Sequence, residues 1–398
     1  MLPLLLTATN PVQFQQSDFV SAFYLAGRLV LTGRPLELYA DRSSTSLMAT
    51  PFNAYAHQTL SQFPQGATAI YMYPPLTAAV FAPLAGLTST ISMLAWQLIS
   101  IAAFGACAYF LSARSDKRWD SLFFGGVLFL PVAQNILLGQ LGLVLGLLPI
   151  SLGYWLFLKG RPLWAGLSWS LLCLKPQFLP VVLLIVASLA LANKWRCALG
   201  FLLGSLVLTA VSLNAFGPEV FRNWFMTLKM AATIYSDPQY TTPSHLVSSL
   251  TPAVIHALPL EWRAMAKPVL YAVGAIVGGH LLWFCRGLIK RAGTDYLSAI
   301  PFVLVLSITV MPLVLPYLLF YDLSIFAIAG MIIYCYEAMR KQRVLIRDLT
   351  LAWIFIDVYL IVFMFVGPQF VQPLLLVLLL ALIYKRILSM TSDWSHHI

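Results

Sequence analysis

Apolar residues run along this chain in blocks of roughly 18–22, separated by short basic stretches, a pattern that predicts membrane-crossing helices. Ala299–Pro316 and Leu349–Val366 are plain examples. Residues 1–72 break the pattern: they are polar and irregular, with an amphipathic helical repeat from Phe19 to Leu31 and a loop rich in Ser, Thr and Gln. Tyr71-Met72-Tyr73-Pro74-Pro75 then opens a short apolar helix ending near Pro83-Leu84. It is too short to span comfortably and is expected along the membrane interface. A second polar segment runs from Phe216 to Ala266. The interval between Arg161 and Lys194 holds only about 30 residues, too few for two full crossings at a rise of about 1.5 Å per residue. Lys175-Pro176 sits in its middle. Either two half-depth helices meet there, an arrangement tolerated where it lines a protein-buried or watery cavity, or one crossing breaks the charge rule.

Composition narrows the class. Of 398 residues, 60% are apolar and 10% charged, with a mean hydropathy of +0.84; a soluble protein carries about 25% charged residues. There is too little charge to coat soluble domains. The net charge of +10 would suggest nucleic acid in a soluble protein, but here the basic residues punctuate apolar runs. The clusters are Arg114, Lys117 and Arg118; Lys159 and Arg161; Lys194 and Arg196; Arg286, Lys290 and Arg291; Arg340, Lys341, Arg343 and Arg347; and Lys385 and Arg386. The positive-inside rule assigns such clusters to the cytoplasm, and no nucleic-acid partner is expected. An even number of crossings then separates neighbouring clusters, with outward turns at Gly139-Gln140, Pro312–Pro316 and Gly367-Pro368. The expectation is an all-α, multi-pass bundle of about 11 spans, some short or broken, in the cell membrane. Residues 1–398 form a single membrane domain, with residues 1–89 as a first outer loop and 216–266 as a second. The five cysteines stand singly, so neither a metal site nor a disulfide framework is indicated, and no cofactor is expected. Met1–Leu6 lacks a basic n-region and is too short for a signal peptide.

Ionisable groups at membrane depth are functional candidates, because placing one there costs about 2.5–3.5 kcal/mol on insertion scales. Lys175, Asp322 and Asp357 qualify. For Asp357 a contact with a Tyr or Trp of a neighbouring helix is a sufficient structural explanation. Asp322 either bonds nearby tyrosines or faces a polar cavity. Lys175 either donates to carbonyls freed at the helix break or binds an anion. Asp18, in Gln15-Gln16-Ser17-Asp18-Phe19, is placed at the outer surface, where an acid is ordinarily a cap or first-turn residue of the helix that follows.

The series Asp18-Phe19, Tyr24, Gly33, Tyr39, Tyr73-Pro74-Pro75 and Pro83-Leu84 resembles glycosyltransferase family 87. Gly139-Gln140, Ala165-Gly166-Leu167 through Lys175-Pro176, Pro316-Tyr317 and Tyr321-Asp322 extend the resemblance over roughly residues 17–330. It implies a membrane enzyme of the C-type superfamily that takes a sugar from a polyprenyl-phosphate carrier on the outer face, mannose in the family's best-known activity, with no nucleotide sugar. Asp18 matches the family's catalytic aspartate. The implied partners are a polyprenyl-phosphate sugar donor, a glycan or lipid acceptor, and the lipid bilayer. The chemistry needs a carboxylate to deprotonate an acceptor hydroxyl and cations to meet the departing phosphate. Asp18 is expected to supply the first and Lys175 with Arg28 the second, with Tyr73, Gln140, Tyr317 and Asp322 as further substrate-binding candidates. Direct displacement inverts the anomeric centre. Family members place a complete transmembrane helix before the Asp-Phe pair, where this sequence has 17 residues. The alternative reading is a transporter or flippase with Lys175 and Asp322 on its pathway.

Overall fold

The computed structural model describes residues 9–113, 115–234, 248–315, 318–336, 343–366 and 371–392, and every element among them is helical. Outside the described residues lie Tyr317, Arg114, Arg340, Lys341, the Gly367-Pro368 turn, Met1–Leu6 and the middle of the second polar segment.

The chain opens with α1 (Pro11–Gln16), then a π-helical stretch Phe19–Tyr24 continuing as α2 (Leu25–Leu31). α3 (Pro51–Thr59) closes the polar loop and α4 (Pro75–Ala85) follows the Tyr-Pro-Pro sequence, with Pro75 at its first position where no N–H is needed. α5 (Ser89–Ser112) is the first long apolar helix. α6 (Trp119–Val127) and α7 (Leu130–Leu137) form an apolar pair bent by 80° at the short break between them. After the Gly139-Gln140 turn, π-helical Gly142–Leu147 runs into α8 (Leu148–Leu158). α9 (Pro162–Ser170) and α10 (Leu179–Leu191) meet at the Lys175-Pro176 break, where Lys175 leaves helical geometry with φ −130° and ψ 79°.

α11 (Trp195–Ile234) turns at Gly217, whose φ of 76° favours glycine, just before Pro218. Residues 218–234, the start of the second polar segment expected as an outer loop, are helical. They cover the first polar segment, Thr227 Oγ1 accepting from the Ala40 N–H at 2.8 Å and Trp224 Nε1 donating to the Met72 carbonyl at 3.0 Å. α12 (Leu250–Ala257), α13 (Leu260–Arg291), α14 (Ile300–Val314), α15 (Ile325–Cys335), α16 (Arg343–Val366) and α17 (Val371–Ser392) complete the chain.

Four described helices are long and apolar enough to cross a membrane: Ser89–Ser112, Trp195–Ala231, Glu261–Arg291 and Gly293–Leu313; the α6–α7 pair makes a fifth. Shorter apolar helices, including Phe19–Leu31, Pro75–Ala85, Pro162–Leu174 and Pro176–Leu191, pack between them. Prolines and breaks shorten several of these elements. α14 stands at the centre: 78% of its apolar window is buried, against 22% for α11 and α13, whose outward faces carry exposed apolar side chains such as Leu206 and Ile276. The protein is a multi-pass membrane protein, and its elements are helical throughout the described residues.

Several basic residues of the inter-helix clusters lie at one end of the bundle. Lys117 lies over the Tyr334 ring at 5.2 Å, Lys194 over Tyr296 at 4.4 Å, and Arg286 Nε donates to the Leu191 carbonyl at 3.1 Å. Tyr336 donates to the Ser298 carbonyl at 3.2 Å, joining the α15 and α14 ends there. At the other end, Trp96 Nε1 and Gln97 Nε2 of α5 donate to the carbonyls of Gln140 and Leu137. From Gln97 to Ser112 the helix rises roughly 22 Å, most of a hydrocarbon core of about 30 Å. The Gly139-Gln140 turn and the basic side chains thus lie near opposite ends.

Candidate functional site

Asp18 does not cap the helix it precedes. Its own backbone is already helical (φ −53°, ψ −34°) and its side chain makes no cap bond. Ser17 does that work: its Oγ accepts from the Val20 N–H at 3.4 Å and donates to the Phe14 carbonyl at 2.7 Å. The Asp18 carboxylate is left for another partner, and Gln140 Nε2 donates to Oδ2 at 2.6 Å. Both segments carrying this pair wind as π-helix, Phe19–Tyr24 and Gly142–Leu147. The wider turn changes which way successive side chains point, and such turns recur at functional sites.

The turn that delivers Gln140 depends on Gly139. Its φ is +66°, and a Cβ there would come within 2.9 Å of the Phe19 side chain. Only glycine meets both demands without strain, so the Asp-Phe and Gly-Gln pairs are packed on each other. The Gln140 N–H donates to the Asn135 carbonyl at 2.9 Å. Gln140 is wholly buried, and its Oε1 has no partner.

Lys175 stands at the break because Leu171–Leu174 tightens to 3₁₀ and Pro176 forbids the helix from continuing. Thr77 of α4 donates to the Leu174 carbonyl at 2.8 Å, satisfying an acceptor freed by the break. The lysine is fully buried, and its Nζ donates to Asp322 Oδ1 at 2.8 Å. The ammonium also lies 5.0 Å from the Phe178 ring and 5.9 Å from the rings of Tyr73 and Tyr321. Tyr73 is held from several sides: Tyr39 donates to its carbonyl at 2.6 Å, and its ring packs edge-on to Phe23 at 5.4 Å. Asp322 sits in a tight 3₁₀ turn, its Oδ2 accepting from the Leu319 N–H at 3.3 Å. Asn135 anchors that turn, donating to the Tyr321 carbonyl at 2.5 Å and Ser324 Oγ at 3.1 Å.

These parts form one cluster. Lys175, Asp322, Gln140 and Tyr321 all act electrostatically on Asp18, Tyr321 through its side chain directly. Lys175 is ion-paired with Asp322, and Asp18 lies beside that pair as the carboxylate in excess. Asp18 is also the exposed residue of the cluster, whereas Gln140, Lys175 and Asp322 are buried; the protein packed around its carboxylate still desolvates it and raises its pKa from the usual carboxylate value. Asp18 forms the open end of an otherwise enclosed polar cluster. The other carboxylates of residues 9–72 are engaged. Glu37 pairs with Arg34 through two hydrogen bonds of 2.6 and 2.7 Å. Asp41 accepts from Ser43 and Ser44, whose hydroxyls hold its carboxyl below the usual range.

Of the residues singled out in the sequence, Asp18, Tyr73, Gln140, Lys175 and Asp322 come together. Arg28 is on the last turn of α2, stacked over Tyr24 at 5.9 Å, and is not among the groups acting on Asp18. Tyr317 lies outside the described residues. Sequence reasoning missed Tyr321 as a site residue and missed Asn135 altogether. Asn135 left a signal, a carboxamide inside the apolar stretch before Gly139-Gln140. Among the described residues no group of three or more His, Cys, Asp or Glu side chains converges as a metal site.

The cluster lies at one end of the helical bundle, with the exposed Asp18 beside the buried Gln140, Lys175 and Asp322. The chain belongs to glycosyltransferase family 87, whose family model matches residues 71–316, more than half its length. It is a membrane glycosyltransferase. The matched span includes Tyr73, Gln140 and Lys175 but neither Asp18 nor Asp322, which the fold brings to them. No curated protein and no solved structure matches the chain.

Proposed function

We propose that this enzyme transfers a hexose, mannose by family resemblance, from a polyprenyl-phosphate carrier to an acceptor hydroxyl on the non-cytoplasmic face of the cell membrane. The observation that carries the reading is Asp18, an exposed carboxylate that caps nothing and is aimed by Gln140 at 2.6 Å. In this scheme Asp18 takes the proton from the acceptor hydroxyl. The freed oxygen attacks the anomeric carbon, the carbon–oxygen bond to phosphate breaks, and the configuration inverts. The leaving group is the polyprenyl phosphate itself, so no nucleotide is required. We assign Lys175 to that phosphate, which reaches the ammonium by taking the place of the Asp322 carboxylate. The glycan or lipid acceptor approaches from the outer loop, and short and broken helices count among the eleven or so crossings of a C-type arrangement.

The basic end supports this sidedness. Positive side chains favour the cytoplasm, and the cluster lies near the opposite end of the bundle. Cysteines placed in the Ser43–Ser46 loop are expected to react with a membrane-impermeant thiol reagent in intact cells. Cysteines beside Arg118 should react only after permeabilisation. The background should lack Cys173 and Cys335, the partly exposed native thiols. Labelling beside Arg118 from outside would reverse the orientation and with it the outer-face site.

The donor is tested by incubating purified protein and a membrane lipid extract with labelled polyprenyl-phosphate mannose, polyprenyl-phosphate glucose or GDP-mannose. Labelled product is expected from a polyprenyl-phosphate donor alone, with the anomeric configuration inverted. Transfer from GDP-mannose in the absence of the lipid carrier would refute the proposal.

A further inference from the structure

An acid in the middle of an apolar helix calls for a partner, and Asp357 of α16 has an unusual one. Its Oδ1 accepts from the backbone N–H of Leu130 at 2.9 Å, not from a tyrosine or tryptophan. Leu130 opens α7 immediately after the bend between α6 and α7. The first N–H groups of any helix lack partners within it. In α7, Pro131 has none to offer, and those of Val132 and Ala133 turn back to the Phe129 carbonyl at 2.9 and 3.2 Å. The Leu130 N–H remains, and Asp357 takes it. A carboxylate there also sits favourably at the positive end of the helix dipole.

One turn earlier on α16, Trp353 stacks on Phe129, with centroids 4.8 Å apart and planes 16° apart. The same indole lies against Gly330 of α15, where a Cβ would come within 2.4 Å of the ring. α16 therefore grips two elements at once. α7 carries Asn135 and leads into Gly139-Gln140, and α15 continues from the turn holding Asp322. Asn135 joins the two through the Tyr321 carbonyl.

We propose that Asp357 is a positioning residue for sugar transfer. By fixing the start of α7 it sets, through one short rigid helix, where the Gln140 carboxamide holds the Asp18 carboxylate. The proposal rests on the reading of Asp18 as the base. Asp357 acts outside the family match, from a helix that touches no substrate in this scheme.

Two variants separate positioning from bulk stability. Asp357→Asn keeps an acceptor oxygen for the Leu130 N–H, and Asp357→Ala removes it. Both relieve the membrane of a charge, so insertion is not impaired. Asp357→Ala is expected to lower kcat per folded molecule by about tenfold with the donor KM unchanged, because small displacements of a reacting group are costly. Asp357→Asn should stay near the parent. In parallel, hydrogen exchange over residues 130–141 should rise in Asp357→Ala and not in Asp357→Asn. An unchanged kcat in Asp357→Ala, an equal loss in both variants, or unaltered exchange over residues 130–141 would each overturn the proposal. If the parent protein shows no transfer from a polyprenyl-phosphate sugar, the donor assignment has failed, and the exchange measurement still decides whether Asp357 holds α7.

Discussion

Asp18→Asn is expected to lower sugar transfer by about 10²–10⁴-fold, the usual loss when a general base is removed, with little change in stability. The structure makes this a clean substitution. Asp18 makes no cap bond, so the helix start loses nothing that Ser17 does not already supply. The asparagine oxygen still accepts from Gln140 Nε2, so the side chain keeps its place while losing its capacity to take a proton. Asp18→Glu should fall between parent and Asn, since the carboxylate survives but is carried one methylene further. The measurement is transfer to acceptor per folded, detergent-stable molecule, with donor binding followed separately. Lost turnover with donor binding intact is the expected result. Near-normal turnover in Asp18→Asn would remove Asp18 from the chemistry.

Much of the fold was legible because lipid imposes a simple pattern. The apolar block Leu349–Val366 lies within the helix Arg343–Val366, and of the two arrangements left open between Arg161 and Lys194 the chain adopts two short helices meeting at Lys175-Pro176. What the sequence could not show was pairing at a distance. Lys175 and Asp322 each read as a lone membrane charge with two possible explanations, and nothing local in either segment says that they meet at 2.8 Å. Asp18 read most simply as a cap, because acids before amphipathic helices usually are. Discarding that reading needed the position of Ser17 Oγ and the reach of a carboxamide 122 residues away. Asp357 was given a side-chain partner when its actual partner is a backbone N–H, exposed by a bend at Phe129-Leu130 that hydropathy alone does not register.

Breaking the Lys175–Asp322 pair from one side is expected to destabilise the protein by about 3–5 kcal/mol, because each single change strands a charge in an enclosed site. Lys175→Met leaves the Asp322 carboxylate unpaired, and Asp322→Asn leaves the ammonium without its anion; both side chains are enclosed, at 0% and 4% exposure. The double variant strands neither. Methionine fills the lysine's space among Tyr73, Phe178 and Tyr321, and asparagine still accepts from the Leu319 N–H. Its thermal midpoint in detergent should therefore recover to near that of the parent, well above either single variant. Activity should not recover with it. If the leaving phosphate takes the place of Asp322 at Lys175, an enzyme without the ammonium has lost the group that meets the departing charge. The expected signature is a folded double variant with transfer reduced as far as in Lys175→Met. A double variant no more stable than the singles would mean that the pair does not balance two enclosed charges. A stable double variant with full transfer would show that Lys175 serves the fold and that the phosphate is met elsewhere.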